Sequence, residues 1–190
     1  MSHLRPAFVL IALFTLLLGV AYPLSITSIA QLAFPYQANG SMIERNGDIV
    51  GSTLIGQSFS RPEYFWPRPS AAGDGYNASA SSGSNYGPTS RALAERIQAD
   101  AARIRATGYE GVIPADLITA SGSGLDPHIS PAAADIQIAR VAAARRINTT
   151  EIATLVEQHT QAPFLGVLGE PVVNVLELNL ALDEHHPLSP

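Results

Sequence analysis

Serine, histidine and aspartate crowd into one stretch, Asp116-Leu-Ile-Thr-Ala-Ser-Gly-Ser-Gly-Leu-Asp-Pro-His-Ile-Ser130. Ser123, His128 and Asp126 are the residue types of a nucleophile, its base and an orienting acid, so a hydrolase is one reading. No Gly-x-Ser-x-Gly elbow is present, and triad members are normally gathered by the fold rather than crowded in one loop. Asp126 and His128 as metal ligands lack the further His that a three- or four-ligand site needs nearby. Ser/Gly-rich backbone running toward a helix start can receive an anion, because the first N–H groups of a helix are unpaired. The simpler reading is local: Asp126-Pro127 and Ser130-Pro131 turn the chain and cap the next helix, while His128 bonds within the turn.

A second group is Tyr64-Phe65-Trp66 between Arg61 and Arg68. Aromatics interleaved with cations suit a sugar or nucleotide. The same residues can instead pin a long loop onto its domain, which is the preferred expectation. Paired-carboxylate chemistry is not indicated, because the acids are scattered singly along helices and turns.

Composition removes further classes. All 11 basic residues are Arg; without Lys there is no P-loop and no Schiff base. Without Cys there is no disulfide, thiolate metal site or thiol nucleophile. The net charge of -5 includes Arg5, so the chain beyond it is more acidic still, which argues against nucleic acid or an anionic surface as partner.

These groups must be positioned by elements that begin with Ala7 to Leu24, an apolar run broken only by Thr15, Gly19 and Pro23. A bilayer core of about 30 Å takes roughly 20 such residues as a helix. Residues 7–30 are therefore predicted to span a membrane after a short N-terminus, 1–6, with residues 31–190 forming one domain. A cleaved leader is the competing reading, with Ser28-Ile29-Ala30 as its cleavage site; the run exceeds the usual h-region of about 7–15 residues and favours an uncleaved anchor. His3 and Arg5 precede the run and no Arg follows until Arg45, which favours a cytoplasmic N-terminus and an external, periplasmic domain.

Asn46-Gly47 predicts a hairpin with strands at Met42 to Arg45 and Asp48 to Ile55. Residues 59–88, rich in Gly, Ser and Pro, read as a long loop. Helices are predicted from Thr89 to Thr107, with Leu93, Ile97, Ala101 and Ile104 on one stripe, from Ser130 to about Ile147, and from Asn148 onward. Ile152, Leu155, Val156 and His159 share a face of the last, where His159 is read as a packing residue. Pro171 to Asp183 alternates Leu176, Leu178, Leu180 and Leu182 with polar residues and reads as a half-buried strand paired with the early hairpin. The expected fold is α+β: one transmembrane helix, then an extracytoplasmic domain with a small antiparallel sheet and about three helices on one of its faces.

Several stretches together resemble the C subunit of the Kdp potassium-transporting ATPase. They include Leu4-Arg-Pro-Ala7, Tyr22-Pro-Leu24, Gln37-Ala-Asn-Gly-Ser41, Arg68-Pro-Ser-Ala71, Leu117-Ile-Thr-Ala-Ser121, Ser123-Gly-Leu-Asp-Pro-His-Ile-Ser130, Gln137 with Arg140-Val-Ala142, and Gly169-Glu-Pro-Val-Val-Asn174. The resemblance covers essentially the whole chain. It implies an accessory subunit of the inner membrane, without catalytic residues, metal or bound cofactor of its own. Its implied partners are a channel-like potassium-binding subunit and a P-type ATPase subunit that uses ATP. It implies a role in assembly and as a catalytic chaperone raising the partner's ATP affinity. An external domain cannot touch cytoplasmic ATP, so that effect is expected to be allosteric. Candidate subunit contacts are Arg5, Pro6, Thr15, Gly19, Tyr22 and Pro23 along the anchor, and Asp126, His128, Ser130, Gln137 and Arg140 in the domain. Thr15 and Gly19, four apart, would let a neighbouring helix approach closely. The alternatives are an anchored periplasmic solute-binding module and an anchored hydrolase.

Overall fold

A computed structural model describes residues 3–188. The chain divides into two compact units, Met1–Val50 and Gly51–Pro190.

The first unit is led by a continuous helix, Leu4–Ala33. At about 1.5 Å per residue its 30 residues exceed the hydrocarbon core. Its parts are α1 (Leu4–Leu16), a wide π turn (Leu17–Ala21) and α2 (Tyr22–Ala33). The wide turn has a local cause. Pro23 has no N–H, and in a regular helix its ring would press on the carbonyl of Gly19; just before it, the Tyr22 N–H reaches back five residues to the Leu17 carbonyl. Ser25 and Ser28 donate to the carbonyls of Ala21 and Leu24, at 2.7 and 2.8 Å, so these hydroxyls are satisfied within an apolar helix. After one turn, α3 (Pro35–Ala38), comes the hairpin of β1 (Met42–Arg45) and β2 (Asp48–Ser52), the boundary between the units falling within β2. Asn46 and Gly47 have φ of 56° and 88°, the left-handed pair that a type I′ turn requires. β2 stops at Ser52, short of the expected Ile55, because Ser52 Oγ accepts from the Leu54 N–H and starts a turn.

In the second unit, α4 (Arg91–Arg105) follows the long loop, with Ile104 buried and Leu93, Ile97 and Ala101 half-buried on the expected stripe. A single 3-10 turn, Ala115–Leu117, leads to β3 (His128–Ile129). Then come α5 (Pro131–Asp135), α6 (Ile138–Arg145), α7 (Thr149–Gln158), β4 (Thr160–Gln161), β5 (Val172–Asn174) and α8 (Val175–His185). The sheet is antiparallel in the order β3-β5-β4, pairing Ile129 with Val173 and Thr160 with Val173. The core joins Ile129 and Val173 of the sheet to Val141, Ile152, Leu155, Leu178 and Leu182 of the helices.

The α+β class and the presence of small antiparallel sheets agree with expectation, but the hairpin stands as a sheet of its own and the three-stranded sheet is built from other segments; two further elements also differ. Pro171 to Asp183 is not one strand. Three residues form β5, which pairs with β3 and β4 rather than with the hairpin, and Asn174 then accepts from the Glu177 N–H at 3.2 Å to start α8. The even-numbered leucines do not mark a sheet face, because α8 is buried on several sides: Val175, Leu176, Leu178, Asn179, Ala181 and Leu182 are all interior. The helix expected from Ser130 to Ile147 is two helices. The break lies at Ile136 and Gln137, where the Gln137 N–H bonds to Ala134 only three residues back and the side chain is buried.

Candidate functional site

Two anchoring networks flank the segment Tyr64 to Arg68. The first holds its aromatics. The Phe65 N–H donates to Asn179 Oδ1 at 2.8 Å, and Asn179 Nδ2 donates to the Phe65 carbonyl at 3.0 Å. One residue on, the Trp66 N–H donates to Gln137 Oε1 at 2.7 Å and Gln137 Nε2 returns to the Trp66 carbonyl at 3.1 Å. Two buried amides thus give a loop the paired backbone bonds that a neighbouring strand would supply. Phe65 is wholly buried and Trp66 nearly so.

Cations close over the rings. The Arg140 guanidinium lies 3.9 Å from the Trp66 ring centre and Arg103 5.1 Å, while Arg145 sits 5.0 Å over Tyr64. Burial, with Arg103 adding like-charge repulsion, pushes the Arg140 pKa down to about 10. Arg140 donates to the carbonyls of Pro62 and Tyr64 and to Gln137 Oε1. The Arg145 side chain, 1% exposed, meets Asp183 at 2.7 Å, and Asp183 also accepts from the Tyr64 hydroxyl at 3.0 Å. Burial, then that hydrogen bond, raises the Tyr64 pKa.

The second network is the polar stretch. Arg68 donates to Asp126 Oδ2 at 2.9 Å, the His128 N–H to Asp126 Oδ1 at 3.0 Å, and His128 Nδ1 stands 3.4 Å from that oxygen. Burial alone would raise the Asp126 carboxyl; the His128 hydrogen bonds and the Arg68 charge outweigh it and hold the pKa below its ordinary value. Ser130 Oγ accepts from the Ala133 N–H at 3.1 Å and caps α5, and Asp116 accepts from the Ser130 N–H at 2.6 Å. Ser123 Oγ accepts from the Leu125 N–H and lies 3.4 Å from Ser121 Oγ. The long loop sits on this backbone: the Ser82 N–H donates to the Ser123 carbonyl and Ser70 Oγ to the Gly124 carbonyl. At Gly124, φ is 67° and a Cβ would lie 2.5 Å from the Ser82 carbonyl oxygen, so only glycine fits. An open cleft of about 670 Å³ remains, lined in part by Leu54, Ile55, Arg68, Ser121, Ser123 and Asp126.

The structure therefore brings His128 to Asp126 while Ser123 is engaged in its own turn. No group of three or more potential metal ligands occurs among the described residues. Tyr64, Phe65 and Trp66 turn inward and pin the loop. Gln137, at the break before α6, and Arg140 of α6 hold that loop, whereas Asp126, His128 and Ser130 belong to the polar stretch; Arg68, two residues after Trp66, links the two networks. Asn179, Asp183, Arg145 and Asn174 were not singled out from sequence. The available signal was polarity out of place: Asn174 and Asn179 interrupt an apolar run, and Asn174 Nδ2 donates to the Thr53 carbonyl at 2.8 Å. His159 packs as expected, its Nδ1 2.9 Å from the Leu155 carbonyl.

The remaining candidates lie on the apolar helix. Arg5, Pro6, Thr15, Gly19, Tyr22 and Pro23 are all exposed there. A Cβ at Gly19 would stand 3.9 Å from Thr15 Cγ2, so the two share a face.

Comparison with known proteins matches residues 4–184 to the family described as KdpC: K+-transporting ATPase, c chain. A potassium-transporting ATPase KdpC subunit of Caulobacter vibrioides (strain NA1000 / CB15N) is 57% identical over 188 residues, covering 98% of this chain and 95% of the relative. The corresponding subunit of Gemmatimonas aurantiaca is 59% identical over 195 residues, covering 100% and 96%. That of Beijerinckia indica is 56% identical over 190 residues, covering 99% and 96%.

Proposed function

The chain belongs to the KdpC family of K+-transporting ATPase subunits, and from that premise we propose that it is the accessory subunit through which the complex is assembled and its ATP affinity raised. The observation that carries this reading is the match across both units, together with an apolar helix none of whose residues is buried. The partners are the channel-like potassium-binding subunit and the P-type ATPase subunit. The anchor crosses the inner membrane with its N-terminus in the cytoplasm and the domain in the periplasm. The chain contributes no catalytic residue or bound cofactor. Its effect on ATP passes through the assembled subunits, a coupling free energy between sites rather than shared ligation.

Contacts are made by the anchor face around Thr15 and Gly19, by Arg5, Pro6, Tyr22 and Pro23, and by the surface of the Asp126 to Ser130 stretch. Gln137 and Arg140 act behind it, by fixing the loop that carries Arg68. The solute-binding alternative is weakened because Tyr64 to Trp66 spend their surfaces on α6 and α8. The hydrolase alternative is weakened because the Ser123 hydroxyl bonds within its own turn.

Co-purification with the two larger subunits, with and without residues 1–33, tests the reading. Association that requires the helix is the expected result; equal association without it sinks the anchor contact. In sealed vesicles, a photoreactive ATP analogue is expected to label the ATPase subunit alone, and labelling of this domain would overturn the allosteric route.

A further inference from the structure

The turn between β4 and β5 exposes Phe164, Leu165, Val167 and Leu168 at 70, 78, 78 and 60%. Four large apolar side chains within five residues form a continuous tip, not scattered surface positions. We propose that this tip inserts into the interfacial layer of a lipid bilayer, as a second membrane contact besides the apolar helix. The proposal rests on the reading that this helix spans the membrane.

Three features favour lipid as the occupant. The backbone is closed on itself: Phe164 and Leu168 exchange N–H to carbonyl bonds at 3.0 Å each, the Gly166 N–H donates to the Pro163 carbonyl, and the Val167 N–H to Phe164. Polar groups already paired inside the turn lose little on leaving water, whereas an open edge would need a protein partner. Residues 162–169 carry no charge and no polar side chain; protein interfaces draw specificity from Arg anchors and a polar rim around their aromatics, and this tip has neither Arg nor polar rim within it. Finally, Leu165 is held at φ 54°, a conformation that suits Asn or Gly better. A leucine kept there spends stability on presenting an apolar side chain to the outside. A few side chains alone bind a bilayer weakly, but a domain already tied to that bilayer meets it at high effective concentration.

The chain has no cysteine, so a single environment-sensitive label can be attached through Val167→Cys. The full chain is reconstituted in zwitterionic phosphatidylcholine nanodiscs, alone and in the assembled complex, with doxyl-labelled lipids as quenchers. A blue shift and loss of emission at this position are expected, both abolished by Leu165→Asn with Leu168→Ser, while a label through Ala80→Cys stays unquenched. An unshifted, unquenched label overturns the proposal. So does a blue shift without lipid quenching in the complex, which would assign the tip to a protein partner. A label through Leu16→Cys reports the span separately: its quenching without quenching at Val167 removes the tip contact and leaves the anchor standing.

Discussion

Two irregular segments of this molecule each present a phenylalanine beside another large apolar residue, and they end in opposite places. Phe65 and Trp66 are 0 and 8% exposed; Phe164 and Leu165 are 70 and 78% exposed. Side-chain hydrophobicity does not separate them. The difference lies in the backbone. At Phe65 and Trp66, buried amides from α8 and from the break before α6 take both the N–H and the carbonyl, so the chain can enter the core without orphaned polar groups. At Phe164 the backbone bonds are spent within the turn, and the side chain stays exposed. A loop becomes interior when the rest of the fold supplies partners for its peptide groups.

The contrast breaks most readily at Asn179. Replacing it with Leu removes both partners of Phe65 and is expected to cost about 2–6 kcal/mol, from two buried groups at roughly 1–3 kcal/mol each. Trp66 is the only tryptophan, so its emission during urea unfolding reads the loss directly; an unchanged midpoint would mean that burial of Phe65 does not depend on the amide. Asp183→Asn is expected to cost less, about 1.5–3 kcal/mol for a hydrogen bond to a charged group, because Arg145 keeps its carbonyl partners and Asp183 is partly solvated. The same unfolding curve checks it.

Acid sharpens the comparison at the polar stretch. The native pKa of Asp126 is depressed, so its contribution is complete above the ordinary carboxylate value of about 4 and fades as pH falls through the lowered native value. Loosening of the Ser121 to His128 stretch, followed by hydrogen exchange, should therefore begin below that ordinary value, and Asp126→Asn should remove the dependence. The smallest effect is expected at the exposed tip: Phe164→Ser should shift stability by no more than about 0.5 kcal/mol. A large loss there would show that the tip packs on the domain after all.

Much of this was legible in the sequence, for identifiable reasons. Asn46-Gly47 has few conformational options, the stripe on α4 faces one side, and Ser130-Pro131 and Asn148 carry their own capping chemistry, with Asn148 accepting from the Thr150 N–H at 2.9 Å. The preferred role for Tyr64 to Trp66, pinning the loop, is the one observed. The α8 segment was misread because periodicity reports a boundary between core and solvent, and a helix surrounded by core has little such boundary. Asn174 with Glu177 three residues on was the better signal. The Asn179 and Gln137 bridges span 114 and 71 residues, and local pattern carries no trace of a partner so distant.

The wide turn at Leu17–Ala21 has a consequence for how the apolar helix is read by a neighbour. One additional residue in a turn advances the helical phase by about 100°, so the face bearing Thr15 does not continue straight into the face after Tyr22. The apolar helix therefore has two short faces in different azimuths rather than one long one, and deleting a single residue within the turn would realign those faces while leaving length and greasiness almost untouched.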